Sequence, residues 1–119
     1  MLLGLSTYSF PWAIGVQDYK PTKTVAANDL LELAAAHSIS YIQYGDNLPL
    51  HTLSKQEINN LKEKALQLNI QVEVGTRRLS AINIRTYLSI AQELQSPFLR
   101  VVIDDSDFHP GEEEVIEEI

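Results

Sequence analysis

Polar and aromatic side chains follow or interrupt four short apolar segments of the chain, and their types suit contact with a small hydroxylated molecule. Carboxylate, amide and guanidinium groups bind hydroxyl and phosphate oxygens, while aromatic faces pack against the C–H face of a sugar ring. The candidates for substrate contact are Tyr8, Trp12, Asp46, Asn47, Glu73, Arg77 and Arg100. Structural alternatives stay open, because Tyr8 and Trp12 also suit loop packing and the Asp46-Asn47 pair also suits a turn.

Glu73 and Arg100 each interrupt an otherwise apolar segment, where an unpaired charge is costly. One interpretation is a structural ion pair between the two residues across adjacent strands. The other is contact with ligand hydroxyls or a phosphate, for which Arg100, Arg77 and Arg78 are suited by their planar, multidentate guanidinium groups.

Acidic residues crowd the segment after the fourth apolar run, with Asp104, Asp105, Asp107 and His109 close together. Hard cations prefer oxygen ligands, but this spacing matches no calcium-loop pattern and lacks its central glycine, so we favour a solvated acidic loop over a metal site. The sequence carries no glycine-rich nucleotide-binding motif, nucleophile elbow or zinc-protease motif, and no catalytic residue or metal ligand is assigned.

The apolar segments predict four buried strands, at residues 2–5, 41–44, 70–74 and 98–103. Helical periodicity fills the intervals between them, and the expected buried positions are Leu30, Leu31, Ala34 and Ala35 in one helix, Ile58, Leu61, Ala65 and Leu68 in the next, and Ile84, Tyr87, Leu88, Ala91 and Leu94 in the third.

Capping residues mark several of the helix ends. Asn28 is the expected N-cap of the first helix, Ser54 with Glu57 forms a capping box for the second, and Asn69 suits its left-handed end. The glutamate run that begins at Glu112 reads as the start of a further helix after a Pro-Gly turn, because carboxylates in a first turn suit the helix dipole.

The order β-α-β-α-β-α-β followed by a helix start indicates parallel strands with right-handed crossovers. We therefore predict an α/β fold with βα repeats, the N-terminal half (about 3.5 βα units) of a (β/α)8 TIM barrel, since a complete barrel needs about 250 residues. Residues 1–119 are expected to form a single partial domain, truncated in its fourth helix. Its open inward face and two unpaired edges would require the missing strands or a second copy.

The composition of the chain indicates which partners and which cellular compartment to expect. The chain has 119 residues, no cysteine and a formal net charge of −7, which argues against a nucleic-acid partner. Neither a signal peptide nor a membrane-spanning segment is evident, so we expect a cytoplasmic protein without a membrane partner.

Four segments, one at each strand end, resemble the sugar phosphate isomerase/epimerase family of the xylose-isomerase-like barrel superfamily. They are Gly4-Leu5-Ser6-Thr7-Tyr8-Ser9-Phe10, Gln43-Tyr44-Gly45-Asp46-Asn47-Leu48-Pro49-Leu50, Val72-Glu73-Val74-Gly75-Thr76-Arg77 and Leu99-Arg100-Val101-Val102. Ser38 departs from the pattern, since relatives carry a glycine at the end of the first helix.

The resemblance implies a barrel enzyme that binds a divalent metal (Mn²⁺, Mg²⁺ or Zn²⁺) and isomerises or epimerises a sugar or sugar phosphate. In such enzymes a carboxylate removes a proton beside a carbonyl while the metal stabilises the enediolate. The family's metal ligands and catalytic carboxylates lie in the second half of the barrel, so none is carried over to this chain. A substrate-facing role is carried over for Tyr8, Asp46, Asn47, Glu73 and Arg100.

Three hypotheses from different classes follow. The first is the N-terminal portion of a metal-dependent sugar (phosphate) isomerase or epimerase, inactive by itself. The second is a half barrel that associates with itself as a binding or assembly module, covering its open face in a homo-oligomer. The third, a relative of the barrel-shaped apurinic endonucleases, is disfavoured by the acidic charge balance.

Overall fold

The computed structural model describes residues 2–118 of the chain, and βα units alternate along it. The strands are β1 (Gly4–Ser6), β2 (Tyr41–Tyr44), β3 (Gln71–Arg77) and β4 (Leu99–Val102). The helices are α1 (Pro11–Ile14), α2 (Ala27–Ala36), α3 (Lys55–Leu68), α4 (Ala81–Glu93) and α5 (Glu112–Glu118), with single 3-10 turns at Thr7–Ser9 and Leu50–Thr52.

The four strands form one parallel sheet in the order β1-β2-β3-β4, so each strand lies beside its neighbour in sequence. The predicted α/β class with parallel strands and βα repeats is confirmed, and the arrangement is that of a partial TIM-barrel-like fold. Consecutive parallel strands are adjacent because the intervening helices return the chain across one face of the sheet.

The predicted strand limits are correct for β2 and wrong for the other three strands. Residues 2 and 3 precede β1 and are exposed, and β4 is one residue shorter at each end than predicted. β3 continues three residues beyond the predicted end, because Thr76 and Arg77 pair with Val101 and Val102 of β4. The added residues are polar, and pairing with a neighbouring strand, rather than hydrophobicity, holds them in the sheet.

Helix starts follow local capping chemistry. The Ser54 hydroxyl accepts the Glu57 N–H at 3.1 Å and the Glu57 carboxylate accepts the Ser54 N–H at 2.7 Å, which confirms the capping box. The expected Asn28 cap is wrong, because α2 begins at Ala27. There the Asp29 carboxylate accepts the Ala26 N–H at 2.9 Å, so a residue in the first turn satisfies the free donor. The predicted helix after the Pro-Gly turn is confirmed as α5.

Three helices end in the same way, and none of them uses glycine. Ser38, Asn69 and Gln95 have left-handed φ angles of 56°, 54° and 56°. In each case the next residue donates its N–H to a carbonyl five residues earlier, at 2.8–2.9 Å, as in a Schellman motif. Non-glycine residues in this conformation are strained by contact between Cβ and the backbone, so these turns are held by the surrounding structure.

The core lies between the helices and one face of the sheet. Each of the three long helices buries three residues against sheet residues such as Ile42, Val72 and Val74. They are Leu30, Leu31 and Ala34 of α2, Ile58, Leu61 and Ala65 of α3, and Tyr87, Ala91 and Leu94 at α4. Burial of Ala35, Leu68 and Leu88 was also predicted and is wrong, since all three are exposed. Each lies beside the buried stripe, where a helix with one supported face leaves the flanking apolar position in water.

The face of the sheet opposite the core, called the open face below, carries residues such as Gln43 and Glu73, whereas α2, α3 and α4 pack against the sheet on the core side. Both outer strands have an unpaired edge, and large apolar side chains flank them. Leu2 and Leu3 precede β1, while Phe98 and Ile103 flank β4, and all four are exposed. Within residues 2–118, none of the helices combines the length and apolarity needed to cross a bilayer.

Candidate functional site at the carboxyl ends of the strands

The open face of the sheet is polar where the strands approach their carboxyl ends. Ser6, Gln43 and Glu73 lie side by side in register on β1, β2 and β3. The Gln43 amide donates to the Glu73 carboxylate at 3.4 Å. The interior of a complete barrel is filled mainly by bulky branched side chains. The polar row formed by Ser6, Gln43 and Glu73 departs from that pattern, and its side chains carry hydrogen-bond donors and acceptors.

Glu73 and Arg100 share this face, but the ion pair between them, one of the two interpretations of their charges, is not formed. None of the ion pairs formed by residues 2–118 involves either residue. The strand register is the reason, because Val74 lies opposite Leu99 and therefore Arg100 lies opposite Gly75. Arg100 is thus placed farther toward the carboxyl edge than Glu73. Contact of both residues with a ligand stays a prediction.

Thr7 joins the loop after β1 to the loop after β2. Its buried hydroxyl donates to the Asn47 side-chain oxygen at 2.6 Å and accepts the Gly45 N–H at 2.9 Å. The Asn47 amide donates in turn to the Thr7 carbonyl at 3.0 Å. Asn47 therefore has a structural role as a brace between the two loops, and its predicted substrate contact would have to use its remaining hydrogen-bonding capacity.

Tyr8 donates its hydroxyl to the Asp46 carboxylate and packs its ring against Gly45. Partial burial of the ring, the hydrogen bond and the negative charge of Asp46 together raise the pKa of Tyr8 to about 12. The positive charges of Arg77 and Arg100 act in the opposite direction on this pKa. Four predicted contact residues, from the ends of all four strands, are therefore close enough to interact electrostatically.

Arg77 ends β3 with an incompletely paired guanidinium group. Its Nη2 lies 3.8 Å from the Asp104 carboxylate, which is too long for a hydrogen bond. Its Nε is shielded from solvent and has no hydrogen-bond partner. Asp104 is also 3.7 Å from His109, so its charge is shared between two basic side chains.

Arg78 fastens the end of β3 to the loop after β4. Its guanidinium donates to Asp107 at 2.7 Å and lies 4.6 Å from the centroid of the Phe108 ring. The hydrogen bond and charge of Arg78 lower the pKa of Asp107. Arg78 has a positive φ of 87°, a conformation that is rare for a non-glycine residue and that these contacts hold in place.

The acidic loop does not assemble a metal site in the part of the chain described. Across residues 2–118, no three histidine, aspartate or glutamate side chains come together as ligands would. Asp104 and Asp107 face arginines instead. The residues present therefore do not fit the divalent metal that the resemblance implies, and no chemical step is assigned to a metal on this chain.

A cavity of about 370 Å³ opens at the carboxyl ends of β2 and β3, within the range of about 300–1,000 Å³ typical of ligand sites. Two of the predicted substrate-contact residues, Asp46 and Arg77, line this cavity. Five further lining residues were not predicted as site residues, namely His51, Thr76, Asn83, Tyr87 and Asp105. Tyr87 was predicted only as a buried helix residue, and Asp105 as part of a solvated acidic loop.

His51 and Tyr87 form a hydrogen bond of 2.8 Å between the imidazole Nδ1 and the phenol oxygen. Burial raises the pKa of Tyr87, which keeps its phenol protonated. The direction of this hydrogen bond follows the tautomer of His51, and with the phenol as donor, Nδ1 accepts and the ring N–H lies at Nε2. The sequence offered one signal for this pair, namely a histidine two residues after Pro49 in the loop that follows β2.

Asn83 holds the end of β3 beside the cavity. Its side-chain amide donates to the carbonyls of Arg77 and Arg78 at 2.8 Å and to the Thr76 hydroxyl at 3.2 Å. Trp12 lies apart from this group on α1 and is exposed, with its ring edge-on to Tyr19 at 5.8 Å. The structure thus gives Trp12 the loop-packing contact that was left open, and its substrate contact stays a prediction.

Comparison with known proteins finds one significant sequence similarity. The chain is 31% identical over 116 residues to 3-oxo-isoapionate decarboxylase of Pectobacterium atrosepticum. The aligned region covers 98% of this chain and 41% of that protein, so the chain spans less than half the length of its relative. No family model matches the chain. A significant match to a solved structure was not found either.

The decarboxylase is an enzyme with a xylose-isomerase-like TIM-barrel fold. Its similarity runs along nearly the whole chain, as did the four matching segments at the strand ends. The parallel sheet and its βα order agree with that fold. The comparison therefore supports the xylose-isomerase-like barrel superfamily, and the chain is consistent with part of such an enzyme.

Proposed function

We propose that this chain supplies the substrate-binding part of a xylose-isomerase-like barrel enzyme that acts on a sugar, a sugar phosphate or a related polyol. The observation that carries the proposal is the convergence of Tyr8, Asp46, Arg77 and Arg100 at one edge of a parallel sheet. Ligands of parallel α/β folds bind at this edge, because the strand ends and the following loops meet there.

The polar groups suit a hydroxylated ligand in number and kind. Glu73 and Asp46 supply carboxylate acceptors for hydroxyl groups, while Gln43 and Arg100 supply donors. These residues bind and orient the substrate in the proposal, and the groups that move protons come from the rest of the barrel. We also propose that the complete enzyme depends on a divalent metal. The isolated 119-residue chain is expected to be inactive.

Isomerisation or epimerisation is the first candidate reaction, on the resemblance of the four strand-end segments. Decarboxylation of an oxo sugar acid is the second, and the similarity to 3-oxo-isoapionate decarboxylase favours it. Removal of a proton beside a carbonyl and loss of CO₂ beside a carbonyl both leave negative charge on the carbonyl oxygen. One binding surface can therefore serve either reaction, because both need the same oxygen held and stabilised.

Binding to the purified chain tests the proposal directly. We expect millimolar D-fructose to shift amide resonances in ¹H–¹⁵N spectra at residues around Tyr8, Asp46 and Arg100. Arg100→Gln should weaken this binding several-fold, since it removes a charged donor. Arg85→Gln is the matched control, because Arg85 is exposed on α4 and does not line the cavity at the strand ends. Shifts that are absent, or equal in both variants, would refute the proposed surface.

Activity assays test the expected inactivity separately. The chain incubated with Mn²⁺ or Mg²⁺ and a ketose should form no epimer or aldose above the protein-free rate. Measurable turnover would show that residues 1–119 contain the reacting groups and would overturn the division of roles proposed above.

Self-association is the alternative function, and the exposed apolar residues at both sheet edges favour it. Leu3 beside β1 and Phe98 beside β4 would be covered if a second copy paired with the open edges. Light scattering after size exclusion distinguishes the possibilities. A dimer that Phe98→Ser dissociates would support the half-barrel module, whereas a monomer at micromolar concentration would refute it. Leu66→Ser on the outer surface of α3 is the control.

A further inference from the structure

We propose that the cavity beside Arg77 is a binding site for the carboxylate end of a hydroxy acid, with the guanidinium group of Arg77 and the Nε2–H of His51 as the donors. The inference rests on the proposed function, since it names the chemical class of the substrate bound at that same edge. It concerns the cavity at the carboxyl end of β3, beyond the level of the row formed by Ser6, Gln43 and Glu73.

The first support is the unsatisfied guanidinium group. Arg77 has only the 3.8 Å contact with Asp104, and its Nε lacks any hydrogen-bond partner. Arg78 differs, because Asp107 and Phe108 engage its guanidinium group. A carboxylate can accept two parallel N–H bonds from one guanidinium group. The Arg77 side chain is 40% exposed, so the carboxylate is proposed to bind at its terminal nitrogens.

The second support is a donor fixed in direction. Nδ1 of His51 is engaged by the Tyr87 phenol oxygen at 2.8 Å, which leaves Nε2 as the ring nitrogen available to a ligand, and in the proposal the ring N–H lies at Nε2. The third is a rigid support, since Asn83 binds the carbonyls of Arg77 and Arg78 and holds the end of β3 in place. A donor on a supported strand end binds a ligand with little loss of conformational entropy.

The carboxylates that line the cavity restrict the ligand further. Asp46 and Asp105 contribute negative charge near the same space. They disfavour inorganic phosphate more strongly than a singly charged carboxylate, because phosphate carries more negative charge near neutral pH. They accept hydrogen bonds from hydroxyl groups, however, so a molecule with one carboxylate and several hydroxyls satisfies both kinds of side chain.

Titration of the full chain with D-gluconate, D-glucose and inorganic phosphate tests this assignment by ¹H–¹⁵N chemical-shift changes. We expect gluconate to bind about tenfold more tightly than glucose, as a charged hydrogen bond provides. Arg77→Gln should weaken gluconate binding more than glucose binding and so remove that preference. Arg77→Lys should retain part of it, and Arg85→Gln should retain all of it.

The outcomes separate this inference from the proposed function. If both sugars bind through Arg100 and Arg77→Gln leaves the gluconate preference intact, the carboxylate site is refuted and the proposed function stands. Phosphate binding as tight as gluconate binding would refute the hydroxy-acid class. If neither gluconate nor glucose shifts any resonance of the strand-end residues, both proposals fail.

Discussion

Gly45→Ala probes the contact between the loops after β1 and β2 with a single methyl group. A Cβ at this position would lie 2.7 Å from Tyr8 Cε2 and 3.2 Å from the Thr7 hydroxyl. Carbon atoms in contact prefer about 3.5–4.0 Å, so the tyrosine ring must move by about 1 Å. The ring is 47% exposed and can swing outward, whereas Thr7 is fully buried and cannot.

We expect Gly45→Ala to destabilise the fold by about 1–2 kcal/mol, the range for an added methylene together with one lost hydrogen bond. The pKa of Tyr8 should fall from about 12 toward the ordinary 10, because the ring leaves its partly buried place beside Asp46. Urea unfolding measures the first effect. Titration of the Tyr8 Cζ resonance in ¹³C-tyrosine-labelled protein measures the second.

A double-mutant cycle isolates the clash. In a Tyr8→Ala background most of the cost of Gly45→Ala should disappear, since the nearest contact is gone. Gly111→Ala is the control, because nothing lies within 4 Å of an added Cβ there. If Gly45→Ala costs as much with Tyr8→Ala as without it, or leaves the Tyr8 titration unchanged, the packing described for this loop is refuted.

Three further perturbations test the fold. Ser38→Gly and Gln95→Gly should each raise the free energy of unfolding in urea by about 0.5–1 kcal/mol. Asn69→Gly should raise it by less, because asparagine tolerates the left-handed conformation better than serine or glutamine. A loss of stability in Ser38→Gly or Gln95→Gly would contradict the assigned turns. Thr7→Val should lower the free energy of unfolding by about 1–3 kcal/mol in the same assay, since it leaves buried hydrogen-bonding groups of Asn47 and Gly45 without partners. A change below about 0.5 kcal/mol would show that the Thr7 hydroxyl does not link the two loops. Because the pKa of Tyr8 is raised in the folded protein, its protonated phenol contributes stability that is complete below pH 10 and is lost as the pH rises toward 12. Tyr8→Phe should therefore lose less stability than the wild type between pH 10 and 12. An identical decline in the wild type and Tyr8→Phe would show that Tyr8 is not the cause.

Sequence patterns predicted the parts of the fold that depend on residues close together in the chain. The Ser54–Glu57 capping box and the left-handed Asn69 involve groups within one or two helical turns, and both are present. The order of strands and helices follows from hydrophobic periodicity in the same way. Errors arose at Leu68 and Leu88, because periodicity shows which side of a helix is apolar but not how far the sheet extends beneath it.

The candidate site was predicted in part. Four of the seven predicted residues, Tyr8, Asp46, Arg77 and Arg100, are close enough for electrostatic interaction. Tyr8, Asp46 and Arg77 were found because they follow a predicted strand, and Arg100 because it interrupts an apolar one, since parallel strands end at one edge. The roles of His51 and Tyr87 were not predicted, because they are 36 residues apart and their hydrogen bond depends on how α4 packs beside the loop after β2.

By itself, the sequence determined that the chain forms parallel βα units with polar groups at their carboxyl ends. Apolar spacing and helix caps are short-range properties that any continuous segment carries. Only the tertiary structure decided the partners of those polar groups. Strand register placed Arg100 opposite Gly75 rather than beside Glu73, and loop packing joined Asn47 to Thr7. These pairings depend on contacts between distant segments, and the residue types in each segment are compatible with several registers.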